Sequence, residues 1–236
     1  LSEDNFYYAY KRLQTAPRYL FKQLYINELR NFGSNLEINI ATLIDNVKSL
    51  VYKPSSAYRI YTPKINGLVR PTTVINFIDL LVYQAIINII ADEFYDKLKH
   101  NYNNLVFGNL YNKTDDPYNK IFFYIPWKQQ WKKYEEISLR NLKKGYTYLC
   151  EFDLASFYDT VDHHILENFL KEYIDREILN LLMQQLNVWS YDGERCDFDS
   201  HHGIPQGPIG SGMLAEIYLH YIDEKMRVEV NRKREI

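Results

Sequence analysis

The chain has 236 residues, 46% of them hydrophobic and 25% charged, enough apolar material for one large domain or two subdomains, which excludes a disordered polypeptide. A formal charge of -2 and a pI near 6.3 give no overall basic footprint, so binding to nucleic acid has to come from local clusters. Cys150 and Cys196 form no CxxC pair, which excludes a disulfide framework and, with no signal pattern at the start, leads us to expect a cytoplasmic protein. The 22 tyrosines fill a core under a composition rich in Tyr, Asn, Ile and Lys, or stack on bases where exposed.

Apolar residues at helical spacing predict an N-terminal helical region over Phe6 to Asn31, broken at Pro17 and stopped at Phe32-Gly33. A second helix is predicted from Asn35 to Tyr52, before Pro54. Arg59 to Thr62 and Leu68 to Thr73 read as two strands of a hairpin joined at Asn66-Gly67. Phe77 to Leu98 is a strong helix; its apolar run from Leu80 to Ala91 falls short of the roughly 20 residues a bilayer needs, so it is a buried helix and no membrane partner is expected. Asn101 to Asn119 is loop-like and contains Asp115-Asp116.

Pro126 opens the next helix, which Gly145 ends, with Trp127, Trp131, Tyr134 and Ile137 close to one face. Six cations (Lys128, Lys132, Lys133, Arg140, Lys143, Lys144) face two anions (Glu135, Glu136) in that stretch, either lining a template channel or simply solvated. Tyr146 to Phe152 is predicted as a strand. Asp162 caps a helix ending near Tyr173, Asp175 caps another to about Asn187, and Val188 to Phe198 alternates around Asp192-Gly193 as a second hairpin. His163-His164 and His201-His202 lack the spacing of a zinc site. Helices first, then strands interleaved with helices, give the class α+β.

Three stretches carry chemistry. Pro63-Lys64-Ile65-Asn66-Gly67-Leu68-Val69-Arg70-Pro71 places two cations on either side of a turn. Tyr148-Leu149-Cys150-Glu151-Phe152-Asp153-Leu154-Ala155-Ser156-Phe157-Tyr158-Asp159 delivers a carboxylate at a strand end, suited to a metal ion or merely to capping the turn. Gly203-Ile204-Pro205-Gln206-Gly207-Pro208-Ile209-Gly210-Ser211 is glycine-rich but is no P-loop, since no Lys-Ser/Thr pair follows. It leads into the amphipathic run Met213 to Met226.

In this order and spacing, over roughly residues 55 to 226, the chain resembles reverse transcriptases, most closely bacterial enzymes of the group II intron type and their relatives in phage defence. The resemblance implies right-hand polymerase fingers and a partial palm, with residues 1–54 a helical N-terminal region, 55–145 the fingers and 146–236 the partial palm. It implies an RNA-directed DNA polymerase that adds deoxynucleotides to a DNA or RNA primer on an RNA template, with Mg2+, or Mn2+ in its place. By the same resemblance Asp153 and the Leu154 carbonyl hold metal, and Lys64 and Arg70 hold phosphates. Tyr158 screens the sugar, and Gln206 with Gly207 shapes the nucleotide pocket. The family's aromatic-x-Asp-Asp hairpin does not follow Ser211, so the chain is expected to be the front part of such an enzyme and inactive alone. Template-independent or protein-primed synthesis and a non-catalytic interaction module stand as alternatives, and the oligomeric state is open.

Overall fold

A computed structural model describes residues 1–15, 24–65, 67–190 and 201–232, the side chains of 230–232 excepted. Its axis is α4 (Phe77–Leu98), mostly apolar and buried nearly all round from Asp79 to Ala91, as a helix with no continuous polar face must be. Asn76 starts it by accepting a hydrogen bond from the Ile78 N–H at 3.0 Å. Around it lie α1 (Glu3–Thr15), α2 (Ile26–Gly33) and α3 (Leu36–Lys48), then α5 (Pro117–Lys120) and α6 (Trp127–Lys143). The chain continues through α7 (Phe157–Thr160), α8 (His163–Leu170), α9 (Arg176–Ser190) and α10 (Ser211–Arg232). One cluster of buried side chains runs from Phe6 on α1 through Leu81 and Ile87 on α4 to Leu186 on α9 and Leu214 on α10. Each such side chain contributes on the order of 1.5–3 kcal/mol by leaving water.

Helix α1 turns Phe6, Ala9, Tyr10 and Leu13 inward at the i, i+3, i+4, i+7 spacing that buries one stripe. Arg12, buried on the same helix, donates from Nη1 to Asn88 Oδ1 at 2.6 Å and from Nε to the Lys120 carbonyl at 3.1 Å. The Phe123 ring lies 5.0 Å from its guanidinium, so a charge inside the core is met by two acceptors and a π face.

Strands β1 (Tyr58–Pro63) and β2 (Val69–Val74) form an antiparallel hairpin in the register Tyr58↔Val74 to Pro63↔Val69, and it is the sheet of the described residues. At its tip the Gly67 N–H donates to the Lys64 carbonyl at 3.0 Å, and Gly67 takes a φ of 79°, which a residue without Cβ tolerates. Mixed helix and strand content of this kind fits the α+β class, with helix dominant. No described helix is long and apolar enough to cross a membrane.

Two expectations are corrected. Tyr146 to Phe152 forms no strand: the segment is exposed, with Tyr148 96% and Phe152 86% accessible. Alternating side chains supply a strand's two faces, but a ladder needs a neighbour for its N–H and C=O groups, and no described strand lies beside this segment. Val188 to Ser190 are helical, because the Leu182, Leu186 and Trp189 stripe carries α9 onward; the remainder of the expected second hairpin lies outside the described residues. So do the expected break at Pro17, Asn66 of the first turn, and Cys196.

Candidate active site

The hairpin reaches the rest of the molecule through backbone and charge. The Thr73 N–H on β2 donates to the Gln206 carbonyl at 2.9 Å. Arg59 on β1 donates from Nη2 to Asp159 Oδ1 at 2.8 Å, an ion pair about one-third exposed at each partner. The glycine-rich loop is fixed in turn to the aspartate turn: the Ile204 N–H donates to the Tyr158 carbonyl at 2.8 Å and the Gly203 N–H to the Val161 carbonyl at 2.7 Å. Gly203 has a φ of 97°, a backbone conformation that L side chains rarely adopt, so this docking relies on glycine.

His163, almost wholly buried, sets the loop from beneath. Its Nε2 lies 2.6 Å from the Gly203 carbonyl oxygen and its Nδ1 3.1 Å from the Asn187 amide. A carbonyl accepts only, so Nε2 carries the hydrogen donated to Gly203, while Nδ1 faces Asn187 Oδ1. His163 therefore ties α8, α9 and the loop together. Asp162 caps α8, accepting from the Ile165 N–H at 3.0 Å. The Asp116 carboxylate likewise caps α5 through the Tyr118 N–H, which keeps the Asp115-Asp116 pair a turn feature.

The aspartate turn closes with Ser156 at a φ of 50°, a left-handed conformation uncommon outside glycine. From there α7 presents Phe157 and Tyr158 on adjacent positions, their rings edge to face at 5.9 Å. Both pack partly against the core and both also border the cleft.

A cavity of about 600 Å³ lies where these pieces meet. It is lined by Lys64 and Arg70 from the hairpin, by Asp153, Leu154, Tyr158 and Asp159 from the turn and α7, and by Gln206 from the loop. Gly207 is not among its lining residues; it takes a φ of 137° directly after Gln206. Leu219 of α10 closes the apolar side. Two cations thus stand across from Asp153, which is exposed and has no ion pair among the described residues, while the second carboxylate, Asp159, is occupied by Arg59. The volume is within the range of pockets that hold a nucleotide-sized molecule. A larger cavity of about 1090 Å³ between α2, α3 and the base of the hairpin is lined by Asn, Ser and apolar side chains with Glu28 as its charged residue. It offers no cation to a phosphate.

No group of three metal-ligating side chains occurs among the described residues. The donors that are present, the Asp153 carboxylate and the Leu154 backbone oxygen, are hard oxygens at one cleft. Magnesium binds through one or two carboxylates plus substrate phosphates and retained waters, so these residues fit part of its shell. The Arg59–Asp159 pair and His163 were not anticipated; neither has a spacing signature, since their partners lie 100 and 40 residues away in sequence.

The sequence profile described as "Reverse transcriptase (RNA-dependent DNA polymerase)" matches residues 63–234. The chain belongs to the reverse transcriptase family. Among its relatives, the group II intron-encoded protein LtrA of Lactococcus lactis subsp. cremoris is 24% identical over 234 residues, covering 95% of this chain and 34% of that protein. An uncharacterized 91 kDa protein in the cob intron of Schizosaccharomyces pombe is 28% identical over 225 residues, 95% of this chain and 25% of its own length. Protein YkfC of Escherichia coli K12 is 25% identical over 195 residues, 81% of this chain and 46% of its own. Two of these relatives are thus intron proteins, LtrA of a group II intron, and the chain spans between a quarter and a half of the length of the three.

Proposed function

We propose that this reverse transcriptase chain forms the nucleotide-binding half of an RNA-directed DNA polymerase site, in which a deoxynucleotide paired with an RNA template is joined to a primer. The observation that carries the reading is the single cavity lined together by Lys64, Arg70, Asp153, Leu154, Tyr158 and Gln206, residues drawn from three separate stretches. Lys64 and Arg70 bind the triphosphate and offset the charge that develops on its leaving group. Arg70 can do so with two parallel N–H donors, Lys64 as a point charge. The Tyr158 ring screens the sugar by excluding a 2′-hydroxyl, and the Gln206 side-chain amide orients the sugar or base from the loop side. Asp153 with the Leu154 carbonyl would hold magnesium, whose chemistry there is to polarise the transferred phosphoryl group and help expose the primer oxygen as nucleophile. Because the chain spans only part of its relatives, the activity is assigned to the protein at its natural length.

Primer extension on an RNA template with that protein is the test. Asp153→Ala is expected to lower incorporation by about a hundredfold to a thousandfold or more, the scale on which removal of one preorganised charged contact acts. Equal incorporation by both proteins would reject the assignment. Tyr158→Ala is expected to keep deoxynucleotide incorporation and to accept ribonucleotides more readily, by roughly 10- to 200-fold, the range that steric exclusion in a pocket supplies.

A further inference from the structure

Helix α6 is a 17-residue helix with a single buried residue, Gln130. It is held at Gln130, at the partly buried Ile137, and by Tyr134, whose ring meets Phe107 edge to face at 5.6 Å. Beside that contact face, on the flank of the helix, stand Trp127, 68% accessible, and Trp131, 56% accessible, one helical turn apart. Lys128 and Lys132 follow on the solvent side of the two rings, with the Lys128 ammonium 6.0 Å from the Trp127 ring centre. Trp131 is fixed from two sides: its ring lies 5.6 Å from that of Tyr134, and its Nε1–H donates to Glu135 Oε1 at 2.7 Å. The surface is therefore a preset platform of two indoles about 6 Å apart along the helix axis, bordered by cations. Six cations against two anions lie between Pro126 and Gly145, in a chain whose formal charge is -2.

We infer that the Trp127–Trp131 flank of α6 is a stacking platform for single-stranded nucleic acid. The chemistry selects that occupant. Indole faces stack on any unpaired base, flanking ammonium groups follow the phosphates, and bases held inside a duplex are out of reach of rings on a convex helix. A purely apolar partner would meet the two lysines unpaired. The C-terminal end of α6 leads through residues 144–152 directly to Asp153, a reach of at most about 35 Å at full extension, and the indoles lie roughly 18–24 Å further back along the helix. The inference rests on the polymerase reading for its role, as an arm for the unpaired template, though not for the binding itself.

Titration of the protein with oligouridylate, oligothymidylate and a blunt RNA duplex tests it. Two of the three tryptophans are on this face and Trp189 is buried, so indole emission reports stacking there. Both single strands are expected to quench it and the duplex to leave it nearly unchanged. By anisotropy of labelled oligouridylate, each of Trp127→Ala and Trp131→Ala should weaken binding by about tenfold. Lys128→Gln with Lys132→Gln should reduce the salt slope by about 1.4, the counterions of two phosphates on a single strand. Glu135→Gln keeps the acceptor for Trp131, removes the anion bonded to that ring, and should tighten binding. Unchanged affinity in the tryptophan variants, equal quenching by the duplex, or sedimentation showing this face closed on a second copy overturns the proposal. Asp153→Asn separates the two readings: it should abolish primer extension and leave oligouridylate binding intact. Normal extension by that variant rejects the polymerase site alone, and normal binding by the α6 variants rejects the platform alone.

Discussion

Glu216, on α10, keeps a carboxyl group where a charge is costly. Burial pushes it up to about 8; the Tyr102 hydroxyl, close but short of good hydrogen-bond geometry, offsets part of that, and Asp223 adds to it. The group is therefore neutral in the folded protein at pH 7 and ionised in the unfolded chain, whose ordinary value is 4.5. The native state binds the extra proton, so this contribution is fully present below pH 4.5 and is lost as pH rises through about 8. Urea denaturation between those limits is expected to show stability falling with pH by an amount of order a few kcal/mol. Glu216→Gln, which is neutral at every pH, should flatten that slope. A slope left unchanged by the substitution would show that other groups set it. Nothing in the run Leu214-Ala215-Glu216-Ile217-Tyr218 announces this state, because the periodicity that marks a helix does not say which of its polar residues faces inward. Lys64, Arg70 and Asp153, by contrast, are legible as candidates because their spacing around turns is local.

Between elements, the loop before α10 runs hard against α4. A Cβ at Gly210 would lie 2.8 Å from Ile87 Cγ1 and 3.1 Å from Ile87 Cβ, atoms too near the backbone to swing away. Gly210→Ala should therefore destabilise by about 1–3 kcal/mol through overpacking. Adding Ile87→Ala should recover part of the loss, a non-additivity that thermal denaturation of both single variants and the double variant would reveal. The helices could be read from sequence with end points within a few residues, since caps such as Asn76, Asp162 and Gly145 are local signals. The strand expected at Tyr146 to Phe152 could not be judged that way. Alternation encodes two faces, whereas pairing depends on what comes alongside, and that is a property of distant segments.

For the molecule as a whole, the cleft exists because the hairpin, the aspartate turn and the glycine loop are tied to one another across wide separations in sequence. The α+β class and the order of the pieces were legible. The ties were not, since Arg59 with Asp159 and Thr73 with Gln206 join residues that no short pattern links. The Arg59–Asp159 pair is exposed enough that its loss should cost under about 1 kcal/mol. Arg59→Ala is thus expected to leave the melting temperature nearly unchanged while speeding amide hydrogen exchange in the hairpin. Unaltered exchange there would show that the Thr73 contact suffices.

Arg59 and Thr73 are also partners on the same rung of the ribbon. Both strands are riveted to the body of the protein at one level, and that rung is the fulcrum. What can pivot is the outer segment, from Ile60 round to Thr72, a lever of about 13 Å from fulcrum to the end of the first strand. Lys64 and Arg70 ride on that lever, so in the site proposed above closure over a triphosphate would be a short stroke of the tip, with the glycine loop in place beneath it.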